Sequence, residues 1–184
     1  MTIKTSLIFT ISAVVLFLFT SYSLADALSA QPEAKTAVKQ GEGDGQGTLL
    51  LVVEGNDMQL AFQSAAQNII GFEHKAATAE QAAEITAAIA IFNRADWFVF
   101  NADANCDLTA AEASTDLLDA KFYRGSADFY ANYQLLCQQP ARLKHLQIHL
   151  FNLLPNLQQL KVQWRINGQQ GATEANLSNT LIRF

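Results

Sequence analysis

The chain has 184 residues, of which half are hydrophobic and 16% are charged, and its net charge is −5. That length suits one domain, and that composition can bury a core, which excludes a disordered acidic tail. The 12 basic residues are scattered rather than clustered, so binding to a nucleic-acid backbone is excluded as well.

Lys4 is the only early charge, and an apolar run from Leu7 to Phe19 follows it. The run is too short to span a bilayer as a helix, which takes about 20 residues. Ser23-Leu24-Ala25 then places small residues where a signal peptidase reads. This pattern predicts a secretory signal over residues 1–25, cleaved after Ala25; the competing reading is an uncleaved anchor. Residues 26–47 hold few large apolar side chains and end in the alternating glycines Gly41, Gly43, Gly45 and Gly47. They read as a flexible linker, and no Gly-Lys-Ser/Thr ending marks a phosphate loop.

The folded domain is expected over residues 48–184. Leu49 to Val53 reads as a buried strand. Glu54-Gly55-Asn56-Asp57 reads as a turn, and Met58, Leu60 and Phe62 alternate with polar or small neighbours as a returning strand. Thr78 and Gln81 have capping-box spacing. Ala82, Ile85, Ala88, Ile89 and Phe92 then form one apolar stripe, which predicts the major helix. Trp97 to Phe100 reads as a short strand.

A long alternating strand runs from Ala127 through Phe129, Ala131, Tyr133 and Leu135 to Cys137. Leu146, Ile148 and Leu150 suggest another. Leu160, Val162, Trp164 and Ile166 alternate up to Asn167-Gly168, a hairpin turn signal, with Ala175 and Leu177 assigned to the return strand and Leu181-Ile182 at the end of the sheet. Sequential hairpins with one major helix predict an α+β fold with a mostly antiparallel sheet.

Cys106 and Cys137 are the only two cysteines. In an oxidising compartment an even count favours a disulfide over two buried thiols. The loop so closed is worth roughly 3–4 kcal/mol in the chain-entropy account. Oxidised cysteines leave no thiolate nucleophile, and no Ser-His-Asp or Cys-His arrangement stands out, so no enzyme is expected.

Of the three histidines, His145 and His149 are four apart. That spacing grips a metal on a helix, but the surrounding alternation argues for a strand, which would separate the rings by about 13 Å. Asn101, Asp103, Asn105, Thr109 and Glu112 match positions of a calcium-binding helix–loop–helix, with Leu108 at its apolar position. Against it, Cys106 stands where that loop needs glycine, Asn101 lacks the first carboxylate, and a strand precedes the segment.

Ile69-Ile70-Gly71-Phe72-Glu73-His74 matches the Gly-Phe-Glu-His signature of the ZrgA-like family, zinc-regulated periplasmic proteins of Gram-negative bacteria. The resemblance runs from Thr48 to Phe184. It includes the turn Glu54-Gly55-Asn56, Cys106, Ala127-Asp128-Phe129 with Tyr133 and Cys137, Leu150-Phe151 with Pro155 and Leu157, and Val162-Gln163. It implies a part in zinc acquisition beside an ABC-type importer or its binding protein, with metal held mainly by histidine-rich segments.

Those segments are missing here. Glycines replace the one before the first strand, the tract between the cysteines is reduced to a short loop around Tyr123 to Gly125, and Ser126, Tyr130 and Asn132 stand at histidine positions. Ala65 and Ala76 replace the prolines that flank the signature. Zinc prefers four ligands with imidazole or thiolate donors. The surviving candidates are His74 and Glu73, which predicts at most one weakly held zinc ion; the competing reading is a structural His74 whose ring is held by a carboxylate or backbone group. The alternative is a non-metal interaction or structural protein on the same fold.

Overall fold

The computed structural model describes residues 45–118 and 123–184. The expected signal segment and the linker up to residue 44 lie outside the described residues. In chain order the elements are β1 (Gln46–Glu54), β2 (Asp57–Ala65), α1 (Ala66–Ile70), α2 (Ala79–Arg94), β3 (Phe98–Phe100), β4 (Cys106–Thr115), β5 (Asp128–Cys137), β6 (His145–Ile148), α3 (Leu150–Leu153), β7 (Gln159–Ile166), β8 (Gln169–Asn176) and β9 (Leu181–Arg183). The fold is α+β, rich in sheet, with α2 its one major helix. A six-stranded sheet has the order β4-β5-β2-β1-β7-β8, and a three-stranded sheet the order β3-β6-β9. Every pairing is antiparallel except β1 with β7.

The alternation in β1, β2 and β5 sends one face of the large sheet inward. Leu49, Leu51, Val53, Met58, Leu60, Phe62, Phe129, Ala131, Tyr133 and Leu135 are buried. Each such leucine-sized side chain contributes roughly 1.5–3 kcal/mol of burial. The opposite face leaves Leu50 and Leu136 exposed beside Gln59, Asn132 and Gln134. Helix α2 lies over the inner face: Phe62 and Phe92 stack with centroids 4.9 Å apart, and Phe92 also meets Phe129. The small sheet joins the same core, with Phe98 edge-on to Tyr133 at 4.9 Å.

Trp97 is the largest fully buried side chain. Its indole N–H donates to the Tyr133 hydroxyl at 2.7 Å, and that hydroxyl donates onward to the Phe92 carbonyl at 2.8 Å. Both polar tips are thus satisfied inside an aromatic cluster. Burial pushes the Tyr133 pKa up, opposed by the indole N–H it accepts.

Two turns carry the expected chemistry. Gly55 and the pair Asn167-Gly168 have positive φ, and each turn closes a two-residue hairpin. Because β1 and β7 run parallel, the turns sit side by side: Asn167 accepts from the Gly55 N–H at 2.9 Å, and its own N–H donates to the Val53 carbonyl. The start of β1 is anchored by a buried amide. Asn68 accepts from the Gly45 N–H and donates to the Gln46 carbonyl, while the Ser64 hydroxyl donates to the same carbonyl. This amide belongs to α1, a short helix with no sequence signature.

Several boundaries differ from the sequence reading. β1 begins at Gln46, two residues inside the expected linker, because the Asn68 amide organises that end. On α2, Thr78 caps the Gln81 N–H and Gln81 reaches back to the Ala77 N–H; Ile85, Ala88 and Phe92 are buried, but Ala82 is exposed at the outer end of the stripe. Leu150 opens α3 rather than continuing β6. The return strand β8 starts directly after the turn, at Gln169, and ends at Asn176, which leaves Leu177 68% exposed outside it.

Candidate functional site

The segment Gly71 to Lys75 links α1 to the cap of α2. Gly71 ends α1 with φ 82°, and its N–H donates to the Gln67 carbonyl. No neighbour crowds the place of its missing Cβ; the left-handed backbone is what calls for glycine there. Phe72 is partly buried and packs on the core. Two residues on, the His74 ring stacks on Phe72 with centroids 5.0 Å apart and planes 26° apart.

The His74 ring is exposed, and its Nδ1 lies 2.9 Å from the Lys75 carbonyl oxygen. A carbonyl only accepts, so this bond places the ring proton on Nδ1. In a neutral ring so held, the Nε2 lone pair is available, the state in which histidine meets a metal while its other nitrogen donates to a backbone carbonyl. Glu73 is half-buried beside it. The Lys75 ammonium lies 5.5 Å above the Tyr123 ring, which ties this loop to the β4–β5 connection.

The donor set is sparse. Among the described residues, no group of three or more His, Cys, Asp or Glu side chains gathers closely enough to hold a metal ion. One imidazole and one neighbouring carboxylate fit zinc only in part, since a closed zinc site takes four ligands. His145 begins β6, and His149 lies just past its end as the residue before α3, so this pair is not on one helix face.

On β5, Tyr130, one of the positions expected to carry histidine, belongs to a closed polar network, while Asn132 is exposed. Asp128 is 4% exposed and accepts from the Gln63 amide at 2.6 Å. The Tyr130 hydroxyl donates to Asp116, which also accepts from the Asp128 N–H, each at 3.2 Å. Burial raises the Tyr130 pKa, reinforced by the nearby charges of Asp128 and Asp116. A neutral, hydrogen-bonded phenol is a poor zinc ligand. These partners come from β2, β5 and the end of β4, too far apart in sequence for any motif to reveal them.

The calcium-loop spacing is not realised as a loop. Residues 102–104 form a single 3-10 turn, and Cys106 to Thr115 is strand β4, which carries Thr109 and Glu112 away from the turn. Asn101 is occupied structurally: its side-chain Oδ1 accepts from the Lys144 and His145 N–H groups, and its side-chain amide N–H donates to the Arg142 carbonyl. Cys106 and Cys137 face each other across β4 and β5 and form a disulfide, with Cα atoms 3.9 Å apart.

The described domain is a disulfide-stapled α+β fold on which the His74 and His149 rings are both exposed. Residues 43–184 match the family described as ZrgA family zinc uptake protein. The chain belongs to that family, and it is a zinc-uptake-related protein that serves zinc homeostasis. No curated protein sequence matches it. Among the described residues, no helix is long and apolar enough to cross a membrane.

Proposed function

We propose that the chain is an exported, periplasmic accessory protein of zinc import that takes no catalytic step and carries at most one zinc ion, weakly, on His74. The observation behind this reading is the His74 ring: it is exposed, braced on Phe72, and held by the Lys75 carbonyl in the tautomer that leaves Nε2 open. A single imidazole with Glu73 and water completes no closed shell, but it suits transient contact with an ion whose remaining ligands come from a partner. The partner of this reading is an ABC-type zinc importer or its binding protein. In calorimetric titration of the purified protein, zinc binding should be micromolar or weaker, with at most one ion per chain. His74→Ala should abolish it, and His145→Ala should leave it unchanged. Tight binding of several ions would overturn the assignment.

A second reading, an interaction protein on the same fold that has left metal behind, is favoured by the closed Asp116–Asp128–Tyr130 network. Loss of zinc binding even in the wild type would select it. Export has its own check. Material recovered from the periplasm should begin at Asp26 and react with no thiol reagent before reduction. An intact leader by mass spectrometry, or two reactive cysteines, would contradict the corresponding half.

A further inference from the structure

The two outer edges of the large sheet are treated differently. At β4 the edge carries a bulge between Leu108 and Ala110, the disulfide at one end, and a capped backbone group, since Asn93 of α2 accepts from the Ala113 N–H. These are the devices that keep an edge from pairing. In the small sheet, edge strands β3 and β9 have three residues each. Strand β8 has less of this protection, confined to its far end. It pairs with β7 over all eight of its residues without a bulge, and it contains no proline, lysine or arginine.

The tight turn at Asn167-Gly168 fixes which backbone groups of β8 point away from β7. Ile166 and Gln169 close the hairpin as a hydrogen-bonded pair, so Gly171 and Thr173 also bond to β7 while Gln170, Ala172 and Glu174 face outward. The far end follows the same alternation: the Asn176 N–H turns outward to the Asn179 carbonyl, and the Asn179 amide caps the Glu174 carbonyl. Among the described residues, the N–H groups of Gln170, Ala172 and Glu174 and the carbonyls of Gln170 and Ala172 have no partner in this edge. Beside them, Leu50, Val52, Gln163 and Arg165 floor a shallow groove on the exposed sheet face.

We propose that this edge pairs with the same edge of a second copy of the chain, antiparallel about a two-fold axis at Ala172. That register sets Ala172 against Ala172, where two small side chains meet without obstruction. It sets Gln170 against Glu174 of the second copy, twice, so amide meets carboxylate and no like charges face each other. The large sheets join into one across the axis.

The substitution Ala172→Pro removes an N–H that β7 does not use, and proline is accepted on an edge strand at such a position. Gln170→Glu gives Arg165, directly across on β7, an opposite charge within each chain, yet sets the new carboxylate against Glu174 between chains. Sedimentation of the purified oxidised protein over roughly 1–500 μM, the range of modest association free energies, should show a monomer–dimer equilibrium. Ala172→Pro should weaken it at least about tenfold through two lost central hydrogen bonds. Gln170→Glu should weaken it at low salt and recover at high salt. A wild-type protein that stays monomeric throughout, including one that instead takes up an extended peptide at this edge, would overturn the proposal. So would a dimer indifferent to Gln170→Glu, a variant that keeps the hairpin intact whether or not Ala172→Pro folds.

Discussion

Cys137→Ser should lower the unfolding free energy by about 3–4 kcal/mol, the loop-closure value for a bridge between residues 31 apart. The bridge joins directly opposed residues at the start of β4 and the end of β5. Apart from its ladder with β5 and the Thr109 hydroxyl bond to the Gln134 carbonyl, strand β4 has little to hold it at that end, because Asp107, Leu108, Thr109 and Ala110 are all exposed. In the unfolded chain the same bridge removes conformations, so its loss favours unfolding even where native contacts survive. Denaturant titration under oxidising conditions measures this directly, and reduction of the wild type should reproduce the shift. A midpoint equal to that of the wild type would show that the bridge contributes nothing to stability.

Trp97→Ala should cost about 3–5 kcal/mol, as large-to-small changes in a packed core do. The indole touches Phe62, Phe92, Phe98 and Tyr133, with centroid distances between 4.9 and 6.3 Å, so the cavity would open at the junction of both sheets and α2. The change also takes from the Tyr133 hydroxyl the donor that it accepts. Tyr133→Phe, which keeps the ring but orphans the indole N–H, should cost about 1–3 kcal/mol. In the double variant Trp97→Ala/Tyr133→Phe the two losses should fall short of additivity, since they share one hydrogen-bonded chain. Thermal unfolding of all three proteins is the measurement, and strict additivity would show that the chain is not coupled.

What could be read in the sequence was local. The turn at Gly55, the cap at Thr78 and the pair Asn167-Gly168 each mark a conformation through one or two residues, and the structure has each where it was expected. Alternation located β5 and β7 because one face of each is buried. Strand β4 left no such trace: its Ala110, Ala111 and Ala113 have weak strand preference, and its burial alternates only from Ala111 onward, over small and polar side chains. It is a strand because β5 and the disulfide provide its partner. The parallel pairing of β1 with β7 and the separation into two sheets depend on residues distant in sequence, and no short pattern encodes either. At the site, the family signature drew attention to His74, but the Lys75 carbonyl and the Phe72 ring that orient it became visible only in three dimensions. The family resemblance touched Asp128 and Tyr130 one by one, but nothing in the sequence joined them to Gln63 and Asp116 as a network.

The parallel pairing of β1 with β7 also bears on the order of events when the chain is made. β1 is a central strand, yet one of its two neighbours lies near the other terminus; the hydrogen bond from Gly55 to Asn167 spans 112 residues. Contacts of such separation close late, because the entropy of the intervening loop is lost before the contact offers any return. A chain that emerges N-terminus first can zip β1 to β2 at once, but one side of β1 stays open until the last hairpin has appeared. Until then the apolar stripe of Leu49, Leu51 and Val53 lacks a flank. In that interval the growing chain has the most to gain from a chaperone that shields an unfinished sheet.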